Sequence, residues 1–403
     1  MLRLLVLASF SIALQAQSLN GLWDASVEDN GLVVPFRIEL SGQGTKVKGS
    51  IVNGDDRVTS TTGKFENGSL VLNFDHYAAR LEAGLSDGTL RGKYIRPKTT
   101  YAFEAKRFVP SQLTQADVPS IAGLWDVQVK SPKGESAWHF IVKQAGAEVA
   151  ATILRVDGDT GALEGTYRDG KFRLSHFAGT SPLLIEVTPG KDGTLTLTRN
   201  GTETWTAIRS SVARAQGLPK PTDPSRHTSV KDPTEPFRFS FKDLDGSIVS
   251  NDDPKFHDRV VIVAISGSWC PNCHDEAPFL MELYRKYHGH GLEIVSLSFE
   301  EPEQQKDLTR LRAFVKQYGI KFPILIPGEP SELQVKLPQT VNLNAWPTTF
   351  YLGRDGRVRS VHAGFAGPAS GEFHEEQKHE ITALVEKLLA ENVVSKSVSR
   401  VQR

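Results

Sequence analysis

The chain has 403 residues, of which 39% are hydrophobic and 23% are charged. This composition is that of globular domains and not of a disordered chain, and at roughly 100–200 residues per domain the length predicts two to four of them. Lysine plus arginine and aspartate plus glutamate both number 47, so the net charge is zero. A neutral chain gives no electrostatic reason to expect a nucleic-acid partner, and no apolar run reaches the ~18 residues of a transmembrane helix.

The first residues have the pattern of an export signal. Arg3 precedes a largely apolar stretch, residues 4–14, and a small-residue exit follows at 15–18. This arrangement predicts a signal peptide over residues 1–17 and export to the periplasm or cell envelope. The alternatives are an uncleaved signal, which would keep the protein at the membrane, and a buried N-terminal strand.

Two parts of the chain repeat each other at an offset of 102 residues. Gly21-Leu22-Trp23-Asp24 recurs as Gly123-Leu124-Trp125-Asp126. The same offset aligns further identical residues: Val47 with Val149, Ile51 with Ile153, Gly63 with Gly165, Gly68 with Gly170, and Leu72 with Leu174. Matches that continue over such a length favour the duplication of a whole module.

Both copies have the sequence pattern of β hairpins. Apolar and polar residues alternate, for example over 36–40 and 69–74, and Asn-Gly or Asp-Gly turns separate such runs. We predict β module 1 over 18–112 and β module 2 over 118–213, each a small antiparallel barrel or sandwich. Trp23 and Trp125 are expected in the cores. The Gly-Leu-Trp opening resembles the first strand of lipocalin-like barrels, and an unknown protein or ligand is the candidate partner of the modules.

The C-terminal part has a different pattern. Residues 214–236 contain five prolines and little apolar content, which predicts a semi-extended linker. Residues 260–265 form a continuous apolar run, which is typical of a strand buried on both faces of an α/β sheet. Further elements are expected as helices at 272–288, 303–318 and 374–391 and as strands at 292–297, 323–326, 348–352 and 358–361. This alternation predicts an α/β domain over 237–392 and a flexible tail over 393–403.

The only two cysteines of the chain, Cys270 and Cys273, lie between a predicted strand and a predicted helix. A helix N-terminus stabilises an anion, so Cys270 is the expected nucleophile, with a pKa below the usual ~8.5. Cys273, one helical turn later, can attack a mixed disulfide and release the product. Pro271 is tolerated in the first turn because its missing N–H would be unpaired there anyway.

The residues around the cysteine pair resemble a known family. The residues that carry the resemblance are Trp269, Cys270, Cys273, Glu276, Pro278 and the segment Trp346-Pro347-Thr348-Thr349-Phe350. This combination resembles the thioredoxin superfamily and, more narrowly, its TlpA-like exported thiol–disulfide oxidoreductases. The resemblance covers residues 235–392 and implies a multidomain chain, with two tandem all-β modules before a thioredoxin-like α/β domain.

The resemblance also implies roles for individual residues. Cys270 would be the nucleophile, Cys273 the resolving thiol, and Glu276 an acidic residue that tunes thiol ionisation and moves a proton. Pro347 would be a cis-proline that faces the cysteine pair. Trp346 replaces the smaller aliphatic residue or threonine common at its position in the family, which leaves substrate preference open.

The implied partners are proteins. Trp269 and Pro271, like Trp346 and Pro347, would contact substrates that carry thiols or disulfides, and an upstream redox partner would restore the dithiol. No cofactor and no metal is expected. The family favours a reductase, although the residues themselves do not give the direction of electron flow.

Four alternatives remain open from the residues alone. Cys270 to His274 reads C-x-x-C-H, the attachment pattern of c-type haem, although Met281 on the same helix could not reach the opposite axial position. A peroxiredoxin-type peroxidase would need threonine at Gly267. Half of a zinc site would need further ligands, for which His288 and His290 are candidates. In the fourth alternative, the β modules are the working part, as binding modules.

Two further segments are expected to lie at the protein surface. His274 is expected as a partly exposed residue of the first turn, where its protonation would favour a Cys270 thiolate. Glu300-Glu301-Pro302-Glu303 is expected as a solvated helix start.

Overall fold

A computed structural model describes residues 18–109 and 118–391 of the chain. The predicted signal peptide, 1–17, and the predicted tail, 393–403, lie outside the described residues. Two antiparallel β sheets of nine strands each precede an α/β domain. Among the helices of the described residues, none is long and apolar enough to cross a membrane.

The first sheet consists of nine consecutive strands, of which β1 pairs with both β2 and β9. The strands are β1 (Gly21–Asp29), β2 (Leu32–Ser41), β3 (Lys48–Asn53), β4 (Asp56–Thr59), β5 (Thr62–Glu66), β6 (Ser69–Phe74), β7 (Ala79–Ser86), β8 (Thr89–Ile95) and β9 (Thr100–Arg107). The order is β4-β3-β2-β1-β9-β8-β7-β6-β5. Asn67-Gly68 and Asp87-Gly88 form turns with positive φ at both residues, as hairpins of this type require.

The second sheet closes on itself. Its strands are β10 (Gly123–Gln128), β11 (Ala137–Ala145), β12 (Glu148–Arg155), β13 (Gly158–Asp159), β14 (Leu163–Arg168), β15 (Lys171–His176), β16 (Leu183–Pro189), β17 (Leu195–Arg199) and β18 (Glu203–Arg209). β12 pairs with both β11 and β14, and β10 pairs with both β11 and β18. These pairings make a closed eight-stranded barrel, with β13 as a short extra strand beside β12.

Equivalent tryptophans lie at the same place in the two sheets. Trp23 and Trp125 are buried, and each donates its indole N–H to the carbonyl four residues earlier at 2.9 Å. The guanidinium of Arg107 covers the ring of Trp23 at 4.6 Å, and that of Arg209 covers Trp125 at 4.0 Å. The two core positions predicted for these tryptophans are therefore confirmed.

Residues 214–236, which were expected to form a linker, contain secondary structure. Helix α1 (Ser210–Ala215) follows the second sheet directly, and β19 (Ser229–Val230) pairs with β25 (Thr340–Val341). Before β19, His227 Nε2 lies 2.6 Å from Asn344 Oδ1. The second half of the expected linker therefore packs against the α/β domain, because short polar side chains there find partners across the fold.

The α/β domain has a five-stranded mixed sheet, which consists, in spatial order, of β24 (Ile324–Leu325), β23 (Leu292–Ser298), β22 (Val260–Ser266), β26 (Thr348–Leu352) and β27 (Val358–Ala363). Its remaining elements are β20 (Ser240–Lys242), β21 (Ile248–Ser250), α2 (Pro271–Tyr287), α3 (Pro302–Lys306), α4 (Thr309–Tyr318), α5 (Leu333–Lys336) and α6 (Glu372–Ala390). β22, β23 and β24 run parallel, while β26 and β27 are antiparallel. Every residue of β22 is buried, as its continuous apolar run predicted.

One predicted helix of this domain is broken. The expected helix at 303–318 consists of α3 and α4 with Asp307 between them. The carboxylate of Asp307 accepts the backbone N–H of Thr309 at 3.0 Å and its hydroxyl at 2.6 Å. Aspartate side chains compete in this way with the helical hydrogen bonds of the backbone, which explains why the helix begins again at Thr309.

Candidate active site

The two cysteines lie at the start of α2, directly after the loop that follows β22. Cys270 is the N-cap residue, Pro271 is the exposed first helical residue, and the Cys273 N–H donates to the Cys270 carbonyl at 3.1 Å. Both cysteines are free thiols and are buried, at 4% and 2% exposure. Burial raises the pKa of Cys273 well above its usual value, and the neighbouring Cys270 raises it further. The geometry therefore separates an outer thiol, at the helix end, from an inner thiol that is neutral at physiological pH.

Glu276 lies beneath the cysteine pair on the same helix. Its side chain is buried and accepts the hydroxyl of Thr349, from β26, at 2.6 Å. Burial raises the pKa of Glu276 to about 7, against the lowering effect of the Thr349 hydrogen bond. The charge of Glu276 is also one of the causes that raise the pKa of Cys273. A carboxyl with this pKa can take up or release a proton at neutral pH.

Trp269 and Trp346 line the same cleft as Cys270, and Pro347 directly follows Trp346 in the chain. The Trp346–Pro347 peptide bond is cis, as the family resemblance implied. Trp269 and Trp346 are half-buried and meet edge to face at 5.2 Å, and the Trp269 indole N–H donates to the Phe299 carbonyl at 2.9 Å. The loop before α2 and the loop before β26 thus bring Trp269 and Trp346 together.

The acidic segment after β23 is not the solvated helix start that we expected. Glu300 is fully buried and accepts the backbone N–H of Ser268 at 2.8 Å and its hydroxyl at 2.6 Å. The buried guanidinium of Arg310 pairs with Glu300 at 3.1 Å and donates to the Ser268 hydroxyl at 2.8 Å. This buried ion pair holds the loop that carries Trp269 and Cys270. The signal for it was the position of Glu300 just past the carboxyl end of a buried parallel strand, where sites in α/β sheets collect.

His274 is also buried, contrary to the expectation of a partly exposed residue. Its Nε2 donates to the Ser268 carbonyl at 2.9 Å, and its Nδ1 lies 3.0 Å from the Tyr318 hydroxyl. Burial lowers the pKa of His274 to about 3, so the ring is neutral and does not favour a thiolate through a positive charge. Because both ring nitrogens are engaged, this histidine is not free to act as the axial ligand that the haem alternative needs.

The geometry does not support the peroxidase and zinc alternatives either. A Cβ at Gly267 would lie 2.3 Å from the Trp269 indole nitrogen and 2.8 Å from the Phe299 carbonyl oxygen, so a threonine does not fit there. His288 and His290 are exposed at the far end of α2. Throughout residues 18–109 and 118–391, no three histidine, cysteine or acidic side chains are grouped as a metal site would need.

Residues of both β sheets cover the cysteine pair, which the sequence did not indicate. They and the α/β domain enclose a cleft of about 900 Å³, the dithiol cleft, to which Cys270 contributes and whose lining includes Tyr77, Trp138 and Trp205. The Asn272 side-chain amide, between the two cysteines, donates to the Asp157 carbonyl of the second sheet at 2.6 Å. Cys270 therefore faces a partly open cleft and not a flat surface.

Three carboxyl groups, one from each of the three regions, lie near one another beside this cleft. They are Asp56 of the first sheet, Asp159 of the second and Asp275 of α2. Burial raises the pKa of Asp159 to about 6, and the charge of Asp56 adds to the effect. Burial and the two other carboxylates raise the pKa of Asp275 well above its usual value. Carboxyl groups with raised pKa values carry less negative charge near neutral pH, which reduces the repulsion between the regions at this boundary.

Comparisons with known proteins concern the α/β domain. Residues 234–361 match the AhpC/TSA family. The thiol-disulfide oxidoreductase ResA of Bacillus cereus is 34% identical over 120 residues, which are 30% of this chain and 62% of the relative. The ResA of Halalkalibacterium halodurans is 29% identical over 126 residues, which are 31% of this chain and 65% of the relative. The chain thus spans about three fifths of the length of these curated relatives.

Solved structures align with the same part of the chain. A thiol:disulfide interchange protein of the thioredoxin family from Chlorobium tepidum aligns at 21% identity and a TM-score of 0.31, covering 40% of this chain and 99% of that one. StoA from Bacillus subtilis aligns at 21% identity and a TM-score of 0.27, covering 36% and 96%. On the sequence matches, the α/β domain of this chain is similar to the AhpC/TSA family and to the ResA thiol-disulfide oxidoreductases.

Proposed function

We propose that this protein is an exported thiol–disulfide oxidoreductase that reduces disulfides in protein substrates. The observation that carries the proposal is the position of Cys270 at the N-cap of α2, at the cleft, with Cys273 buried one turn behind it. The names of the ResA relatives support the reaction class. The family resemblance and the signal-like N-terminus support the direction of electron flow and the location.

The proposed reaction has two exchange steps. The Cys270 thiolate attacks one sulfur of the substrate disulfide, so that an S–S bond to Cys270 forms and the other substrate sulfur leaves as a thiolate. Cys273 then attacks the Cys270 sulfur, which closes the Cys270–Cys273 disulfide and releases the second substrate thiol. The substrate gains two electrons and two protons, and an upstream dithiol protein restores the enzyme by the reverse exchange.

The inner thiol needs a base for the second step. Because the pKa of Cys273 is raised well above its usual value, the thiol is protonated when the mixed disulfide forms. Glu276, with a pKa of about 7, is the proposed acceptor of this proton. Trp269, Pro271, Trp346 and Pro347 are the proposed substrate-contacting residues around the pair.

We further infer that the two β sheets are tandem copies of one module. The matched hydrogen bonds of Trp23 and Trp125, and the matched coverage by Arg107 and Arg209, support a duplication at the offset of 102 residues. The proposed domains are a signal peptide at 1–17, module 1 at 18–112, module 2 at 118–213 and the thioredoxin-like domain at 237–392.

Turnover of a small aromatic disulfide tests the chemistry. The wild-type protein, recycled by dithiothreitol, is compared with Cys270→Ser and Cys273→Ser. We expect Cys270→Ser to lose turnover, whereas Cys273→Ser should retain the first attack and accumulate a mixed disulfide that mass spectrometry detects. Wild-type-like turnover by Cys270→Ser would overturn the mechanism.

A redox titration tests the direction, and a spectrum tests the haem alternative. Equilibration with glutathione buffers should give a midpoint near ~−270 mV for a reductase, and a value near ~−120 mV would indicate an oxidant. A Soret band that survives denaturation would show covalently attached haem and would contradict the proposed function.

A further inference from the structure

One aromatic side chain of the second sheet fills the interior of the first. Phe177, which follows β15, is fully buried in the core of the first sheet. Its ring lies 4.8 Å from that of Phe36 and 5.1 Å from that of Tyr94. We call the space between Phe36, Phe103 and Tyr94 the plugged pocket. Its occupant is a side chain presented by a connecting segment and not by a strand.

The backbone of this occupant is held as well as its ring. The Asn53 side chain donates to the Phe177 carbonyl at 2.9 Å and accepts the Phe177 N–H at 3.1 Å. Nearby, the Tyr94 hydroxyl donates to the Gly179 carbonyl at 3.0 Å. The plugged pocket therefore binds a short piece of polypeptide, with a ring in an apolar space and peptide groups at its rim.

The second sheet contains the equivalent pocket. At the offset of 102 residues, Phe36 corresponds to Trp138 and Phe103 to Trp205. The strand registers agree with this correspondence, since Phe36 pairs with Ala25 and Trp138 pairs with Val127, which are also 102 residues apart. We call the space beside Trp138 and Trp205 the open pocket.

Nothing in the described residues plugs the open pocket. The two indoles meet edge to face at 5.2 Å, and no third aromatic ring among the described residues is stacked on either. Both indoles and Ile153, the counterpart of Ile51, line the dithiol cleft that also contains Cys270. The open pocket, which corresponds to the plugged pocket of the first sheet, is therefore part of the same cleft as Cys270.

At the edge of the open pocket, a hydrogen-bond donor occupies the position that corresponds to Asn53 in the plugged pocket. Asn53 corresponds to Arg155, which also lines the dithiol cleft. Arg155 Nε lies 3.9 Å from a carboxylate oxygen of Asp157 and has no hydrogen-bond partner among the described residues. A guanidinium offers several N–H donors and no acceptor, so it is suited to bind carbonyl oxygens of a peptide.

We propose that the open pocket is a substrate-specificity site that binds a large apolar side chain, preferably an aromatic one, on the same extended segment as the substrate cysteine. Arg155 binds a backbone carbonyl of that segment. This inference rests on the proposed function and deepens it. The substrates are then flexible or unfolded cysteine-containing segments, because a cleft of about 900 Å³ lies within the size range of small-ligand sites, ~300–1,000 Å³, and does not admit a folded domain.

Matched peptide disulfides test the site. In one series, a single phenylalanine is placed one to six residues from the cysteine, and in the control series serine replaces it. For the wild-type protein we expect kcat/KM to be at least about tenfold higher for the phenylalanine peptide at one spacing, since burial of a ring gives this much affinity. Equal values at every spacing would overturn the specificity site. Failure to reduce any peptide, and the small disulfide as well, would instead overturn the proposed function.

Variants then locate the preference. Trp205→Ala should bring the phenylalanine-to-serine ratio of kcat/KM close to one, mainly through KM. Trp205→Leu, which keeps more volume, should reduce it in the same direction if the alanine variant does not fold. Tyr167→Ala is the matched control, because Tyr167 is a half-buried aromatic residue of the same sheet that does not line the dithiol cleft. A preference that survives both Trp205 variants, or that Tyr167→Ala removes, would contradict the assignment.

Discussion

The plugged pocket and the open pocket show two uses of one scaffold. In the first sheet, Phe177 fills the interior and ties the second sheet to it. In the second sheet, Trp138 and Trp205 border a space that joins the dithiol cleft. If the two sheets are copies of one module, as proposed, one copy stabilises the assembly, and the other has the proposed ligand site beside Cys270.

The comparison also explains how the cleft is built. Phe177 fixes the two sheets to each other, and Asn272 joins the second sheet to α2 through the Asp157 carbonyl. On the other side, Tyr77, in the turn between β6 and β7, packs against His274 with ring centres 4.9 Å apart. Contacts from both sheets thus position the residues that surround Cys270, although no residue of either sheet takes part in the proposed thiol–disulfide exchange.

The largest expected effect is that of emptying the plugged pocket. Phe177→Ala should lower the free energy of unfolding by about 3–5 kcal/mol, because the ring is fully buried and its removal leaves a cavity. Trp205→Ala should have a clearly smaller effect, because its half-buried indole borders open space. Urea unfolding of the two variants measures the difference. Equal losses of stability would break the comparison between the pockets.

The second-largest expected effect is the pH dependence of the free energy of unfolding that Glu276 causes. In the unfolded chain Glu276 titrates near 4.5, and in the folded protein its pKa is about 7. The folded state therefore holds this proton more tightly, so the contribution to stability is complete below pH 4.5 and is lost as the pH rises to about 7. At about 1.4 kcal/mol per pKa unit, the wild-type protein should lose about 3 kcal/mol over this interval through this group.

Glu276→Gln should remove that component, so its stability should change less between pH 4.5 and 7 in urea unfolding at a series of pH values. The neutral amide oxygen can still accept the Thr349 hydroxyl. Glu282→Gln, on the exposed face of the same helix, is the control and should retain the wild-type slope. Identical slopes for all three proteins would show that Glu276 does not titrate in this range.

The smallest of the three effects is expected from replacing Asn53 or Arg155, the equivalent residues of the two pockets. Asn53→Ala should cost about 1–3 kcal/mol, because it leaves the buried N–H and carbonyl of Phe177 without partners. Arg155→Ala should change the free energy of unfolding less, since its side chain is 31% exposed and its role is assigned to substrate binding. A larger loss for Arg155→Ala would show that Arg155 stabilises the fold and would count against the open pocket as a site.

Much of the local structure could be predicted because local sequence specifies it. Alternating residues and Asn-Gly turns located hairpins such as β5–β6 around Asn67-Gly68, and a continuous apolar run located the buried strand β22. The placement of Cys270 at a helix N-terminus followed from the change between these patterns. These features depend on neighbours in the chain, so the sequence contains them directly.

The two wrong interpretations of buried polar residues depended on distant partners. Glu300 was expected in solvent, but Arg310 and Ser268 satisfy it in the interior. His274 was expected to be partly exposed, but Tyr318 and Tyr77 enclose it. A charged or polar residue is buried when the fold supplies partners for it, and the identity of those partners is not visible in the residues beside it.

The sequence by itself determined the two β regions, the α/β domain and the cysteine pair, because each rests on short-range periodicity or on spacing within one helical turn. Only the tertiary structure decided that Phe177 occupies one sheet, that the other opens towards Cys270, and that Asn272 joins the second sheet to the active-site helix. Such contacts join residues more than a hundred positions apart, and their energy comes from side chains that meet only when the three regions pack together.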